Sequence, residues 1–252
     1  MSFKNKVVLV TGASSGIGAA IASKFAEEGA SVIIVGRNET KLKEVEAKCQ
    51  RNGAKVLMLI ADVTKDNDVV KMMRVAITWS GHWGIDILIN NAGIAETADI
   101  WDENAMEVYE RVIATNLRSV VFLTHLAVPY LTKNKGNIIN ISSIGSFAPL
   151  STGYFAYCAS KAGLDNFSRA IALDLATKGV RVNTVNPGPV RTDGFQTVGE
   201  EELNKFGAMT ALGRISEPDE IADLVLFLAS DKAKAITGSS FVSDNGTLLK
   251  RN

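Results

Sequence analysis

The stretch VLVTGASSGIG, residues 8–18, decides the fold of this 252-residue chain. It runs from an apolar β-branched segment into a turn with Gly12, Gly16 and Gly18, and a helical pattern follows directly. Such a turn brings backbone N–H groups close to a pyrophosphate at the positive end of a helix. No lysine follows Gly18, as it would in a nucleoside triphosphate loop. The stretch therefore predicts a dinucleotide site, with a plain strand-to-helix turn as the alternative.

The same alternation continues along the chain. The candidate strands lie at 7–11, 32–35, 56–60, 85–90, 137–142, 181–185 and 240–243. Several are apolar at successive positions, which indicates burial on both faces, as in a parallel sheet. The intervening segments carry apolar residues at helical spacing. This pattern predicts an α/β fold, a Rossmann-type doubly wound parallel sheet of about seven strands with helices on both faces.

The chain is expected to form one domain over residues 1–252, because no linker or internal repeat interrupts the alternation. The long connection at about 191–213 is interpreted as a substrate lid. Twenty-seven basic residues balance 27 acidic ones, which gives no charged surface for nucleic acid or for an anionic membrane. The N-terminal apolar run is too short for a leader or a membrane span, so a cytoplasmic location is expected.

The remaining composition argues against metal or disulfide chemistry. Cys49 and Cys158 are far apart in the sequence and are read as reduced thiols. His82 and His125 have no neighbouring cysteine or histidine at metal-ligand spacing. We therefore expect no metal site.

The end of the second predicted strand indicates which dinucleotide binds. Where enzymes that use NAD tend to place an acid, this chain has Gly36 and Arg37. A guanidinium can hold a 2′-phosphate through paired hydrogen bonds, and the Ser14 hydroxyl can add another. The sequence therefore favours NADP(H), with a solvated arginine as the alternative. Asp62 and Val63 follow the third strand, where an adenine edge would lie.

The segment YCASK, residues 157–161, places Tyr157 and Lys161 on one face of a predicted helix. A phenol with a pKa of ~10 needs about 4 kcal/mol of differential stabilisation to titrate near pH 7. A cation at ~4 Å supplies about that much at an effective dielectric of ~20, so Lys161 together with the positive nicotinamide of an oxidised cofactor would suffice. We therefore expect the lysine to lower the pKa of the tyrosine; a surface pair at helical spacing is the alternative.

With these motifs in place, the chain resembles the short-chain dehydrogenase/reductase family. The matching segments are TGASSGIG at 11–18, NNAG at 90–93, NISS at 140–143, YCASK at 157–161 and PGPVRT at 187–192. The resemblance implies hydride transfer between a nicotinamide and a carbonyl or alcohol, with Asn116, Ser143, Tyr157 and Lys161 as the catalytic residues. It also implies a homodimer or homotetramer, with the tetramer expected, formed through two long helices at about 104–133 and 155–178.

The resemblance assigns the cofactor site to residues of the matching segments and their neighbours. They are Gly12, Ser14, Ser15, Gly16, Ile17, Gly18, Arg37, Asp62, Val63, Asn91, Ala92, Gly93, Tyr157, Lys161, Pro187, Gly188, Val190 and Thr192.

Two details depart from the family pattern. Ser143 precedes Tyr157 by fourteen residues, where thirteen is usual in the relatives it resembles, so Ser142 is a rival for the catalytic serine. Ser143 is preferred because it aligns with the second serine of the family doublet. Near the C-terminus, SDNG stands at 243–246 where many relatives have VDGG.

Aromatic residues near the predicted site suggest an apolar substrate. Phe147, Tyr154 and Phe195 could line a pocket for a hydrophobic ketone or aldehyde, such as a steroid, isoprenoid or retinoid, or they could be ordinary packing. A 3-oxoacyl thioester reductase is an alternative, with Lys133, Lys135 and Lys178 able to meet an acidic carrier. A non-catalytic NADP-binding protein is a further alternative, although the catalytic set is complete.

Overall fold

The architecture is a parallel sheet covered by helices on both faces. The structure, a computed structural model, describes residues 1–81, 84–192 and 200–250. In these residues, seven parallel strands form one sheet in the order β3-β2-β1-β4-β5-β6-β7. The strands are β1 Val7–Thr11, β2 Ser31–Gly36, β3 Val56–Ile60, β4 Ile87–Asn90, β5 Asn137–Ile141, β6 Arg181–Pro187 and β7 Ser240–Ser243. The predicted fold class is confirmed.

The helices follow the strands in alternation. They are α1 Gly16–Glu27, α2 Glu39–Arg51, α3 Asp66–Trp79, α4 Ala105–Ile113, α5 Ser119–Asn134, α6 Phe155–Ala176, α7 Glu200–Ala208, α8 Pro218–Ala229 and α9 Thr247–Lys250. Residues of α1, α2 and α8 pack on one face of the sheet, and residues of α3, α5 and α6 pack on the other. In β1, Val8 and Val10 belong to the first core and Leu9 to the second. Burial on both faces explains why these strands lack an alternating polar pattern.

The bounds of four strands differ from the sequence prediction, since β2 extends over Ser31–Gly36 and β5 ends one residue early at Ile141. The prediction starts the fourth strand at residue 85, but β4 begins at Ile87. Asp86 lies just before the strand: its backbone N–H donates to the Val7 carbonyl and its carbonyl accepts from the Asn137 N–H. Its carboxylate accepts from the Val7 N–H and from the Lys6 ammonium. Strand β6 is longer than predicted and reaches Pro187, since Asn186 and Pro187 still pair with β7.

The helix predicted at 104–133 runs without a break from Ala105 to Asn134, but it is not α-helical throughout. A π-helical turn, Ala114–Arg118, separates α4 from α5. Such a turn inserts an extra residue into the helical path and occurs often at functional sites. By length and composition alone, residues Ala105–Asn134 could cross a bilayer, but buried helices of globular proteins pass the same test. Here one side of α5 packs on the sheet through Leu123, Ala127 and Leu131.

The sheet order places a crevice at the carboxyl ends of β1 and β4. The chain moves from β1 to β2 and β3 on one side, then returns to β4 on the other side of β1. The connections that leave the two central strands therefore run in opposite directions and open a gap between them. Ligands of doubly wound sheets bind at such a gap, so the site is sought there.

Candidate active site

The glycine turn forms the floor of the crevice. Gly12 and Gly16 have φ angles of +63° and +54°, in the left-handed region that favours glycine. Gly18 is required for a different reason: a Cβ at this position would lie 2.3 Å from the carbonyl oxygen of Gly12. The turn thus brings the start of α1 against β1. Because the first N–H groups of a helix have no acceptor within the helix, they are available to an anion in front of the turn.

The NNAG segment is bonded to the glycine turn. The Asn91 side chain donates hydrogen bonds to the carbonyl oxygens of Thr11 and Gly12, at 2.9 and 3.1 Å. In return, the Thr11 hydroxyl accepts from the backbone N–H groups of Asn91 and Ala92 at 3.0 and 3.1 Å. These bonds join segments 80 residues apart in the sequence. They hold the ends of β1 and β4 at a fixed separation, so the floor of the crevice is rigid.

Arg37 lies exposed at the carboxyl end of β2, on the wall of the crevice. The side chain of Ser14 lies beside the same strand end, since a Cβ added to Gly36 would be 3.4 Å from the Ser14 hydroxyl oxygen. Among the described residues of this wall, the charged side chains are Arg37 and Asp62. The structure therefore brings the two predicted phosphate-binding groups, Ser14 and Arg37, to one end of the crevice.

Asp62 is held by Thr64 at the end of β3. Its carboxylate accepts hydrogen bonds from the Thr64 backbone N–H at 3.0 Å and from the Thr64 hydroxyl at 2.7 Å. Partial burial acts against the charged form, but these hydrogen bonds and the Arg37 charge outweigh it and leave the pKa of Asp62 below its ordinary value. Asp62 is thus a fixed anion that lies within electrostatic reach of Arg37.

The crevice consists of two connected cavities. The first, of about 390 Å³, lies over the glycine turn and the ends of β2 and β3. The second, of about 340 Å³, is bounded by Ser143, Tyr157, Lys161 and the segment 187–190. Both are lined by Ile17, Asn91, Gly93, Ile94 and Thr192, so they form one continuous cleft. Except for Gly18, which lies beneath the turn, every residue predicted to bind the cofactor lines this cleft.

Tyr157 and Lys161 lie one turn apart on α6 and face the second cavity. The Lys161 ammonium nitrogen is 5.7 Å from the centre of the Tyr157 ring. It donates a hydrogen bond of 2.9 Å to the carbonyl oxygen of Ile141, at the end of β5. Lys161 is only 4% exposed, and burial lowers its pKa to about 8. The pair therefore points into the cleft rather than into solvent.

The pKa of Tyr157 differs from the sequence expectation. Burial raises it above the ordinary value, and a hydrogen bond with Ser143 acts in the opposite direction. The phenol is consequently held in its protonated form, ready to donate a proton.

The two rival serines have different partners. The Ser142 hydroxyl donates to the backbone carbonyl of Lys161 at 3.3 Å. The Ser143 hydroxyl accepts from the Gly145 N–H at 3.0 Å and is hydrogen-bonded to Tyr157. Of the two hydroxyls, that of Ser143 is therefore the one beside the phenol.

Asn116 is fully buried in the π-helical turn and organises the cleft from behind. Its amide donates to the Ile94 carbonyl at 2.9 Å and to the Ser160 hydroxyl at 3.1 Å, and it accepts from the Ile94 N–H at 2.9 Å. A Cβ on Gly93 would lie 3.3 Å from the Asn116 amide oxygen and 3.6 Å from the Lys161 nitrogen. Asn116 thus fixes the wall that follows the NNAG segment and lies close to Lys161.

The predicted substrate residues are less closely associated with the cleft. Phe147 is 52% exposed and is absent from the described lining of either cavity. Tyr154 packs edge-on against Tyr157, with ring centres 6.2 Å apart. Phe195 lies outside the described residues, as does part of the predicted lid. The backbone N–H of Arg191, at the start of the predicted lid, donates to the Ser216 carbonyl, and the Ser216 N–H donates to the Pro189 carbonyl.

Sequence reasoning missed several residues of the cleft. They are Asn38, Ala61, Thr64, Ile94, Ala95, Thr115 and Pro189. Most of them lie within a few residues of the carboxyl end of a predicted strand, and Thr115 precedes Asn116. Proximity to these strand ends was the signal that could have found them.

Comparisons with known proteins agree with this geometry. A family model described as enoyl-(acyl carrier protein) reductase matches residues 12–247. The chain is 36% identical to meso-2,3-butanediol dehydrogenase of Serratia marcescens, over 98% of this chain and 96% of that protein. It is 34% identical to 3-oxoacyl-(acyl-carrier-protein) reductase of Thermotoga maritima, over 99% and 100%.

Solved structures show the same fold. A short-chain dehydrogenase/reductase from Caenorhabditis elegans, crystallised with its cofactor, superposes with a TM-score of 0.90 and 33% sequence identity. The match covers 98% of this chain and 96% of that one. The likeness therefore extends through the entire sheet and its helices, including the cleft.

Proposed function

Because the chain belongs to the short-chain dehydrogenase/reductase family, we propose that it interconverts a hydrophobic ketone or aldehyde and the corresponding alcohol with NADP(H). The single observation that carries this proposal is the meeting of Tyr157, Ser143 and Lys161 in a cleft continuous with the glycine turn. A proton donor and a dinucleotide floor are the two parts that carbonyl reduction requires.

Each of the three side chains has a distinct role in the proposed reaction. When bound, the nicotinamide supplies hydride to the carbonyl carbon or removes it from the alcohol. Tyr157, protonated in this environment, donates its phenolic proton to the carbonyl oxygen during reduction. The Ser143 hydroxyl, beside the phenol, holds the same oxygen. Lys161 places a positive charge behind the ring, where it stabilises the phenolate left after proton transfer.

Asn116 completes the proposed catalytic set. Its amide holds the backbone of Ile94 and the hydroxyl of Ser160. The Asn116 amide oxygen and the Lys161 ammonium both lie near Gly93, and in this proposal a water between them passes protons to the lysine. Asn116 therefore acts from behind the cleft, on Lys161 rather than on the substrate.

The preference for NADP(H) is proposed from the end of β2. Arg37 and Ser14 meet at the end of the cleft where the ribose next to the adenine would lie. A guanidinium and a hydroxyl match a 2′-phosphate in charge and in hydrogen bonding. Asp62 lines the same part of the cleft and interacts with the Arg37 charge, but the two side chains form no ion pair among the described residues. The Arg37 guanidinium is therefore available to a phosphate.

The hydrophobic substrate is proposed from the lining of the second cavity. Ile94, Ala95 and Pro189 line the same cavity as Tyr157 and present apolar groups to it. Tyr154, which precedes the first residue of α6, packs against the Tyr157 ring. An apolar carbonyl compound would replace water along this wall without leaving polar groups unpaired.

A 3-oxoacyl thioester reductase is the second candidate. It is favoured by the family description and by the likeness to the Thermotoga maritima reductase over its full length. The catalytic residues would act in the same way on both substrates, so the two candidates differ only in what extends beyond the carbonyl.

A panel assay tests the proposed function. Purified protein is given NADPH with cyclic ketones, steroid and isoprenoid ketones, short diketones and 3-oxoacyl thioesters, and the series is repeated with NADH. We expect the highest kcat/KM with NADPH and an apolar ketone. A higher value with the thioester would select the second candidate, and no turnover of any carbonyl would reject both.

The role of Tyr157 is tested by Tyr157→Phe. Loss of the acid–base hydroxyl should lower kcat by about 10²–10⁴-fold, while NADPH binding measured by fluorescence stays within a factor of about three. Tyr130→Phe is the matched control, because it removes the same hydroxyl from α5, away from the cleft. Comparable kcat in Tyr157→Phe and in the control would exclude the assigned role.

A further inference from the structure

Helix α6 carries a buried carboxylate one turn beyond Lys161. Asp165 is 3% exposed and Lys161 is 4% exposed. Tyr157, Lys161 and Asp165 follow one another at intervals of four residues, so they line one face of the helix. Burying a charge costs several kcal/mol unless an opposite charge or hydrogen bonds compensate it. The contacts of Asp165 therefore indicate why it is there.

The hydrogen bonds of Asp165 do not account for its burial. One carboxylate oxygen accepts a bond of 2.8 Å from the Asn186 amide of β6. The other oxygen is buried and has no hydrogen-bond partner among the residues that the structure describes. A carboxylate can accept about four hydrogen bonds, so this site leaves most of that capacity unused. Asp165 forms no ion pair among the described residues, so its charge and that of Lys161, one helical turn away, act on each other through space.

The Lys161 ammonium also uses only part of its hydrogen-bonding capacity among the described residues. The ammonium carries three N–H donors and makes one hydrogen bond, to the Ile141 carbonyl, within the described part of the chain. The elements around it present neutral groups: Gly93 after β4, Asn116 in the π-helical turn and Ile141 of β5. The titratable side chains that face it are Tyr157 and Asp165, both on α6. Burial lowers the pKa of Lys161, and the Asp165 charge opposes that shift.

Asn186 connects the same carboxylate to the serine side of the cleft. Its amide nitrogen, which binds Asp165, also lies 3.2 Å from the Ser143 carbonyl oxygen and 3.0 Å from the Ser146 hydroxyl. Its amide oxygen accepts from the Thr184 hydroxyl at 3.0 Å, which fixes the orientation of the amide. A charged acceptor strengthens the bond that holds this amide in place. Asp165 thus acts on Ser143 and on Lys161 from one position.

We propose that Asp165 is a positioning residue of the cleft, whose buried carboxylate keeps Lys161 in its charged form and anchors the Asn186 amide against the Ser143 backbone. The role in turnover rests on the proposed function, because it requires that a charged Lys161 assists Tyr157. The electrostatic claim is independent of any reaction. Without the carboxylate, the ammonium loses the charge that opposes desolvation, so it should release its proton at a lower pH.

The first test measures Lys161 itself. Protein labelled with ¹³C in lysine side chains is titrated by NMR, and the Lys161 signal is identified by its absence in Lys161→Met. We expect Lys161 to titrate near pH 8 in the unaltered chain, and about one pH unit or more lower in Asp165→Asn. Asp174→Asn is the control, since it makes the same change at an exposed position of the same helix. An unchanged Lys161 titration in Asp165→Asn would refute the proposal.

A second measurement uses the unaltered chain, so its result does not depend on whether the Asp165→Asn variant folds. With ¹³C-labelled aspartate, the Asp165 carboxyl carbon should show the chemical shift of a carboxylate at pH 7. A neutral carboxyl group at that pH would overturn the proposal without any substitution. Both NMR readouts need no turnover, so they remain decisive if the panel assay finds no substrate.

The kinetic test follows the alkaline limb of the pH profile. Because the reaction requires the charged lysine, the decline of kcat at high pH should move to lower pH in Asp165→Asn. Asp165→Glu keeps the charge and should restore the limb at least in part, whereas a purely structural role would lower kcat equally at every pH. A profile of unchanged shape in Asp165→Asn would contradict the part of the proposal that concerns turnover.

Discussion

Arg37 is the residue whose replacement would separate the two possible nicotinamide cofactors. In Arg37→Asp, a carboxylate would repel a 2′-phosphate and accept hydrogen bonds from ribose hydroxyls. Hydrogen bonds to charged groups contribute about 1.5–3 kcal/mol, so the ratio of kcat/KM for NADPH over NADH should fall by about 10–100-fold. Steady-state kinetics with both cofactors measure it.

Arg51→Asp provides the matched control, because Arg51 is exposed at the end of α2 and does not line the cleft. It should leave the cofactor ratio unchanged. An unchanged ratio in Arg37→Asp as well would remove the basis for the NADP(H) proposal.

At the residue scale, the sequence predicted which side chains meet but not their protonation. The spacing of Tyr157 and Lys161 placed both on one helical face, and the structure has them in one cleft. The structure gives the opposite direction to the expected lowering of the tyrosine pKa, because burial raises it. Asp165 was not identified at all, since its importance depends on burial by β6, which local sequence does not display.

At the scale of elements, the junction of β1 and α1 depends on the missing side chain of Gly18. A methyl group there would lie 2.3 Å from the Gly12 carbonyl oxygen and 2.5 Å from the Asn91 amide nitrogen. The Gly12 backbone and the Asn91 amide, which donates two hydrogen bonds, cannot move aside without breaking contacts. Gly18→Ala should therefore displace the start of α1 and the NNAG segment together. We expect NADPH affinity to fall at least tenfold and the Tm to decrease.

Gly53→Ala separates this steric effect from ordinary glycine strain. Gly53 has a φ of +79° and open space around its Cβ position, so alanine there costs about 1–2 kcal/mol in backbone conformation alone. It should lower the Tm without changing NADPH affinity. Calorimetry and fluorescence titration measure the two quantities. Equal NADPH affinities for the two variants would contradict the proposed role of Gly18.

Some strands with clear apolar runs were predicted with their correct bounds, whereas the π-helical turn within the long helix was not predicted. Strands β1, β3 and β7 match their predicted bounds because apolar runs end at glycine or polar residues. The π-helical turn was missed because a one-position shift in an apolar helical pattern is small against the irregularity of such patterns in a single sequence. The turn holds the buried Asn116, whose amide is hydrogen-bonded to Ile94 and Ser160, and these tertiary contacts are not visible in the local sequence.

At the scale of the whole molecule, the proposed assembly of two or four chains can be tested on the outer surfaces of the long helices. Leu173 on α6 is 79% exposed and Met106 on α4 is 60% exposed. If these helices form the interface, Leu173→Glu buries a charge there and should shift the molecular mass measured by light scattering toward the monomer.

Val75→Glu is the control, because Val75 is exposed on α3, outside the two helices predicted to associate. It should leave the molecular mass of the unaltered protein unchanged. A monomeric mass for the unaltered chain would exclude the assembly altogether.

The bonds between Thr11 and Asn91 also bear on the moment at which the protein first becomes able to bind its ligand during synthesis. They join segments 80 residues apart, and ribosomes add about 5–20 residues per second. Strand β1 therefore leaves the ribosome several seconds before its neighbour β4, and during that interval one of its edges has no partner. A nascent chain that ends before β4 has the glycine turn but lacks the NNAG side of the cleft. Dinucleotide in the cell should therefore not stabilise it by binding.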